Sequence, residues 1–226
     1  MKNFSLLILC AGFGRRMLDL TVNVPKPLLK IKNKTLLGNT INFFKDIGCN
    51  EIFINTHFLH NKIENYISEN YKSQSIKIIN EPLILGTGGG VKNAFNYTSK
   101  KNICVVNSDI LWNTENKLDV LKFVSDLYNI KHCKILLSKD NNFYGLKKNI
   151  GDFDIKDGKV LKRSKESEII FYSGLQIVSR SIFENTPKIF SINKVWEKLI
   201  TEKNLKGSLI SSKILHLGDK NSFHNL

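Results

Sequence analysis

The sequence predicts an α/β fold, Rossmann-like and three-layered, built on a central mixed, mainly parallel sheet. Two observations carry this. Short apolar runs alternate with segments of helical period up to about residue 140, which is the pattern of βαβ units. The first apolar run also opens directly into a glycine-containing turn, "LILCAGFGRRM" at Leu7 to Met17. With 226 residues, 42% hydrophobic and 24% charged, the chain can bury a full core. One domain spanning 1–226 is expected, with no repeat and no low-complexity linker.

Phe4 to Cys10 reads as a buried strand. Leu37, Ile41 and Phe44 set a helical period over Leu36 to Ile47, which stops at Gly48. A second strand is expected at Glu51 to Asn55, a helix at Asn61 to Tyr71 and a third strand at Ile76 to Ile79. After a glycine cluster, a helix is expected from Val91 to Tyr97, a strand from Ile103 to Asn107, a helix from Asn116 to Asn129 and a strand from Cys133 to Leu137. The rhythm then changes. Phe153 to Val160 carries a "KDGK" hairpin signal, Ile169 to Val178 a long strand, Asn193 to Glu202 a helix and Leu209 to Leu217 a last strand.

Composition narrows the function. The net charge is +14, but 30 of the 34 basic residues are lysine and only 4 are arginine, spread through every segment. A nucleic-acid reader clusters its basic residues and interleaves aromatics, so no nucleic-acid partner is expected, only a preference for anions. No window approaches the ~18 consecutive apolar residues of a membrane span. The run Phe4 to Ala11 leads into Gly-Phe-Gly-Arg-Arg rather than a small-residue cleavage site. Cys10, Cys49, Cys104 and Cys133 form no CxxC pair, and they read as core residues of a reducing cytoplasm. No membrane partner is expected, and the assembly is expected to be a monomer or small homo-oligomer.

The glycine turn is not a dinucleotide fingerprint. That motif needs a third small residue opening a helix and an acidic residue about 20 positions on. Here Met17 takes the third position, prolines follow, and the second strand ends in Asn55-Thr56. No glycine is followed by Lys-Ser or Lys-Thr, which excludes a P-loop. Instead the turn combines glycine amides with Arg15 and Arg16, then presents Lys26 between Pro25 and Pro27. Glycines let a phosphate chain approach the backbone, and the cations answer its charge.

The stretch "LILCAGFGRRMLDLTVNVPKPLLKI" closely resembles the amino-terminal motif of the sugar-phosphate nucleotidylyltransferases. "NEPLILGTGGGVKNAF" resembles that family's base-reading segment and "VVNSDILW" its metal-binding strand end. "NIGDFDIKDGKVLKR", "FYSGLQIVSRSIF" and "FSINKVWEKLI" resemble a short branch that joins UTP to N-acetylmuramic acid 1-phosphate in cell-wall recycling. The resemblance implies that Leu9, Ala11, Gly12 and Gly14 present backbone to a nucleoside triphosphate. It implies that Arg15 grips the β and γ phosphates and Lys26 the α phosphate, that Gly88 and Gly89 let backbone reach the base, and that Asn107 contacts nucleotide or sugar. Asp109 would hold magnesium, or manganese, and Asp152 and Gly174 would lie beside the sugar 1-phosphate.

This inventory suits the chemistry. A sugar 1-phosphate oxygen is already anionic, so attack on the α phosphorus needs charge neutralisation and in-line positioning rather than a strong base. Two departures from the family pattern stand out: Ser108 replaces the glycine of N-G-D, and His216 falls where a second metal-binding aspartate is usual. The alternatives are a mannose or glucose 1-phosphate with GTP or dTTP, and a nucleotide-sugar-binding protein of weakened turnover. The chain stops soon after His216, so no further carboxy-terminal domain is expected.

Overall fold

The first strand, β1 (Phe4–Leu9), is buried almost throughout, as a strand covered by helices on both faces must be. The computed structural model describes residues 3–72, 75–145 and 150–225; Asn149, which opens one of the stretches quoted above, lies outside them. A small hairpin of β2 (Lys30–Ile31) and β3 (Lys34–Thr35) leads into α1 (Leu36–Asp46). There follow β4 (Cys49–Thr56), α2 (His60–Asn70), β5 (Ile76–Asn80), α3 (Gly86–Ala94), β6 (Asn102–Asn107) and β7 (Ile110–Leu111). Next come α4 (Lys117–Val124), β8 (Cys133–Lys139), β9 (Phe143–Gly145), β10 (Asp154–Lys156), β11 (Lys159–Leu161) and β12 (Ile170–Ser179). The chain ends with α5 (Asn193–Thr201), β13 (Leu205–Leu209), β14 (Ile214–His216) and α6 (Lys220–His224).

Among the described residues, nine strands form one sheet in the order β10-β11-β13-β8-β12-β6-β1-β4-β5. β4, β1, β6 and β5 pair in parallel, as do β8 and β13, while β12 runs against both β6 and β8 and β11 against β10 and β13. The sheet is therefore mixed, with β12 and β11 opposed to the common direction. Alternation along its central strands builds two cores. Leu6, Ile8, Cys104 and Val106 face α1, α2 and α4, whereas Leu7, Ile103 and Val105 face α3 and α5. A three-layer α/β architecture follows directly from this period of two.

Local chemistry accounts for several boundaries. The Thr35 hydroxyl accepts from the Gly38 amide at 2.9 Å, a capping bond that starts α1. In the "KDGK" turn, Asp157 and Gly158 both hold positive φ, 51° and 72°, the backbone a two-residue hairpin turn requires.

Three expectations are corrected. The glycine cluster is itself helical, so α3 begins at Gly86 rather than Val91. The helix expected over Asn116 to Asn129 is α4 flanked by single 3-10 turns at Thr114–Asn116 and Leu127–Asn129. The last strand, expected as one run, is split: the Asp119 carboxylate accepts from the backbone and hydroxyls of Ser211 and Ser212. That turn carries the chain out of the large sheet, and β14 pairs instead with β7 and β9. The four cysteines are buried and free, and burial pushes the Cys10 thiol up to about 12. Among the described residues, no helix is long and apolar enough to cross a membrane.

Candidate active site

Three neighbouring parallel strands end together. Leu9 lies opposite Asn55 on one side and Asn107 on the other, so the chain after each strand rises from the same edge of the sheet. Open α/β sheets bind ligands at such carboxyl ends. A cleft of about 350 Å³ sits there, walled by Leu9, Ala11, Gly12, Gly14 and Asn107, with Arg15, Arg16, Lys26 and Asp109 supplying charge.

The glycine turn leaves open space at Gly12, where an added Cβ would meet nothing within 4 Å. Gly14 is different. Its φ is +66°, and a Cβ there would press on Thr21 and on the Lys26 side chain at 3.1 and 3.2 Å. The turn thus packs on the lysine it precedes. Arg15 lies over the Phe13 ring, 5.2 Å from its centroid, and Arg16 is exposed at the junction with a second cavity.

Lys26 is only 8% exposed. Its ammonium donates to Asp109 Oδ2 at 2.7 Å and to the Gly218 carbonyl at 3.3 Å. Burial pushes the Asp109 carboxyl up, but the charge of Lys26, the neighbouring His216, the Lys26 hydrogen bond and Arg16 together outweigh burial and hold it below the ordinary aspartate value. The other oxygen, Oδ1, is buried without a hydrogen-bond partner among the described residues.

His216 Nε2 is 3.6 Å from Asp109 Oδ2, and the ring stacks on Phe143. Burial pushes the imidazole down, against the pull of Asp109, and Lys26 and Arg16 add to that push, leaving it below the ordinary histidine value. A neutral imidazole is a competent metal ligand. Among the described residues, no three His, Cys, Asp or Glu side chains gather to hold a metal by themselves. The unsatisfied Oδ1 of Asp109 nonetheless fits a magnesium ion that takes its remaining ligands from phosphates and water.

A second network, built on residues the sequence reading passed over, fixes the opposite wall. The Cys10 amide donates to Asn55 Oδ1 at 2.9 Å, and Asn55 Nδ2 donates to Glu81 Oε1 at 2.9 Å. The Leu85 amide closes the chain on Glu81 Oε2 at 3.3 Å. The Asn55-Thr56 pair that argued against a ribose-binding acid was the available signal.

Beyond Arg16, Leu9, Thr87 and Asn107, the cleft continues into an outer cavity of about 1000 Å³. Asp152 lines it and accepts from the Tyr172 amide at 3.1 Å. Trp196 forms an aromatic wall, edge-on to Tyr172 and Phe153.

Three residues expected beside ligand, Gly88, Gly89 and Gly174, are not among those lining the inner cleft or the outer cavity. Gly88 and Gly89 donate their amides to the Phe190 carbonyl at 3.0 and 3.2 Å, and a Cβ on either would strike the Phe190 ring or the Lys188 carbonyl at 2.3 Å. They pack α3 against the chain before α5, while Gly86 and Thr87 line the cleft. Gly174 has φ +87° and faces the Ile110 side chain and Asn107 Cβ; its role is the irregularity in β12 between Tyr172 and Gln176. Ser108 is buried at the cleft wall.

The fold and this cleft define an α/β protein whose glycine turn and buried lysine-aspartate pair meet at the sheet's carboxyl edge. Residues 5–157 match the family model described as nucleotidyl transferase. The chain belongs to that family, and it is an enzyme of the sugar-phosphate nucleotidylyltransferase class. It is 26% identical over 218 residues to D-glycero-alpha-D-manno-heptose 1-phosphate guanylyltransferase of Aneurinibacillus thermoaerophilus, covering 94% of this chain and 92% of that one. It is 24% identical over 221 residues to N-acetylmuramate alpha-1-phosphate uridylyltransferase of Caulobacter vibrioides, covering 94% and 91%. The crystal structure of HddC from Yersinia pseudotuberculosis complexed with GMP-PN shares the fold, with a TM-score of 0.78 at 23% identity over 98% of this chain and 97% of that one.

Proposed function

We propose that this protein transfers a nucleotidyl group from a nucleoside triphosphate to the phosphate of a sugar 1-phosphate and releases pyrophosphate. The observation that carries this reading is the buried Lys26–Asp109 pair, 2.7 Å apart, set in the cleft beside Gly12 and Gly14. The triphosphate lies along the glycine turn, with Arg15 on its β and γ phosphates. Lys26, drawn from Asp109 to the α phosphate, neutralises the charge that opposes attack by the acceptor's anionic oxygen. The bond from that oxygen to the α phosphorus forms as the bond to the pyrophosphate oxygen breaks, and no side chain need remove a proton. Asp109 would hold a magnesium ion, which supplies further neutralisation of the phosphate oxygens.

Two substrate pairs follow from the relatives. UTP with N-acetylmuramate 1-phosphate rests on the Caulobacter enzyme. GTP with a heptose 1-phosphate rests on the Aneurinibacillus enzyme. Pyrophosphate release across four triphosphates and these two acceptors, with magnesium and with manganese, tests the reading. Release with one pair supports it, and no release with any pair contradicts it.

A further inference from the structure

The inner cleft and the outer cavity are walled by different elements, joined at the head of α3. Thr87, the second residue of that helix, is exposed and lines both spaces. Its hydroxyl oxygen accepts from the Ile192 amide at 3.0 Å. Ile192 stands at the N-cap of α5 and has no side-chain oxygen with which to cap that helix. Helix starts need partners for their first amides, and here they come from outside the helix. Ser191 Oγ accepts from the Asn193 amide at 3.3 Å, and Thr87, a hundred positions earlier in the chain, takes the amide of Ile192.

Backbone bonds brace the same junction. Phe190 donates its amide to the Leu85 carbonyl at 3.0 Å and accepts from Gly88 and Gly89 on its own carbonyl. On the nucleotide side, Leu85 is tied to Glu81, and Glu81 through Asn55 to the Cys10 amide. On the far side, Ser191, Ile192, Asn193 and Trp196 wall the outer cavity. A run of hydrogen bonds thus connects the glycine turn to the first turn of α5, and Thr87 is the side-chain link in it that opens onto both spaces.

Resting on the nucleotidyl-transfer reading above, we propose that Thr87 is a positioning residue for the acceptor. Through the Ile192 amide it holds the first turn of α5, and the Trp196 wall with it, at the offset from the nucleotide cleft that in-line attack requires. Such attack is steep in geometry, a displacement of about 1 Å costing on the order of 100-fold in rate.

The test compares the wild-type protein with Thr87→Val, which keeps the shape and loses the oxygen, and Thr87→Ser, which keeps the oxygen. Amide hydrogen exchange of the ligand-free protein reports on Ile192. Titration calorimetry with UTP and GTP and, separately, with N-acetylmuramate 1-phosphate and heptose 1-phosphate gives the affinities without turnover. Thr87→Val is expected to speed exchange at Ile192 about 10-fold or more. It is expected to weaken the acceptor that binds about 10-fold and to leave triphosphate affinity within about 2-fold. In the pyrophosphate assay its kcat is expected to fall about 10- to 100-fold. Thr87→Ser is expected to hold exchange and both affinities within about 3-fold of wild type. Thr87→Ala carries the expectations of Thr87→Val should that variant not fold. Unchanged exchange at Ile192, undiminished acceptor affinity, equal loss of acceptor and triphosphate, or a wild-type protein that takes up neither sugar phosphate would overturn the proposal. Absence of pyrophosphate release, with acceptor affinity still following the oxygen at Thr87, would contradict the transfer reading alone.

Discussion

Lys26 and Asp109, 83 positions apart in the chain, meet at 2.7 Å in the floor of the cleft. The lysine is delivered by the turn after the glycine loop, the aspartate by the end of β6. The charge of Lys26 holds the buried Asp109 carboxyl below its ordinary value, and losing either partner would strand the other's charge in the cleft floor. Lys26→Ala is expected to lower kcat/KM at least 100-fold, because it removes the cation nearest the transferred phosphate. It is also expected to destabilise the fold by about 3 kcal/mol, because it strands a buried carboxylate. The double variant Lys26→Met/Asp109→Leu is expected to recover much of that stability and none of the activity. Urea unfolding beside a pyrophosphate assay checks both; a double variant no more stable than the single one contradicts the account.

Acid should weaken the fold in two ranges. His216 is held below its ordinary value of 6.5, so as pH falls through 6.5 the unfolded chain takes a proton that the folded one refuses, and stability is lost until the folded value is passed. Asp109 is held below 3.8; its contribution is present above that value and is lost as pH falls through the folded value. His216→Gln is expected to flatten the stability profile in the upper range and to weaken, without abolishing, the Asp109 contribution in the lower one. A denaturation series between about pH 7 and pH 3, spanning both reference values, shows it. An unchanged slope near pH 6 would contradict the assignment.

The glycines separate into two kinds. Gly89→Ala places a Cβ 2.3 Å from the Lys188 carbonyl, backbone that cannot step aside, and is expected to cost about 2–3 kcal/mol of stability. Gly12→Ala meets nothing within 4 Å. It is expected to fold normally and to bind triphosphate about 10-fold more weakly, by standing where phosphate approaches. Thermal melting and nucleotide titration of the two variants distinguish the roles; the reverse pattern would refute them.

Asn55 joins the two walls of the cleft through Cys10 and Glu81. Asn55→Leu leaves a backbone amide and a carboxylate without their bonds. It is expected to cost about 2–4 kcal/mol and to raise the KM for triphosphate more than it lowers kcat. Steady-state kinetics resolve the split, and a loss confined to kcat would argue against a role in shaping the nucleotide wall.

Much of this was legible in the sequence because it is local. The unbroken apolar run Leu6, Leu7 and Ile8 announces a strand buried on both faces, and the glycine turn and Lys26 between prolines, singled out together in the sequence, lie together in the cleft. The missed features depend on distant chain segments. Gly88 and Gly89 look like a ligand loop until Phe190 and Lys188, a hundred positions on, are seen to fill the space above them. The run Leu209 to Leu217 has the pattern of one strand, and only the Asp119 carboxylate from α4 reveals the turn that splits it.

The most direct test of the central claim is a stopped-time measurement of pyrophosphate from wild-type and Lys26→Ala protein, with UTP and N-acetylmuramate 1-phosphate beside GTP and heptose 1-phosphate. The account predicts steady release with one pair and a loss of at least about 100-fold in the variant. Release that survives the loss of Lys26 undiminished would contradict it.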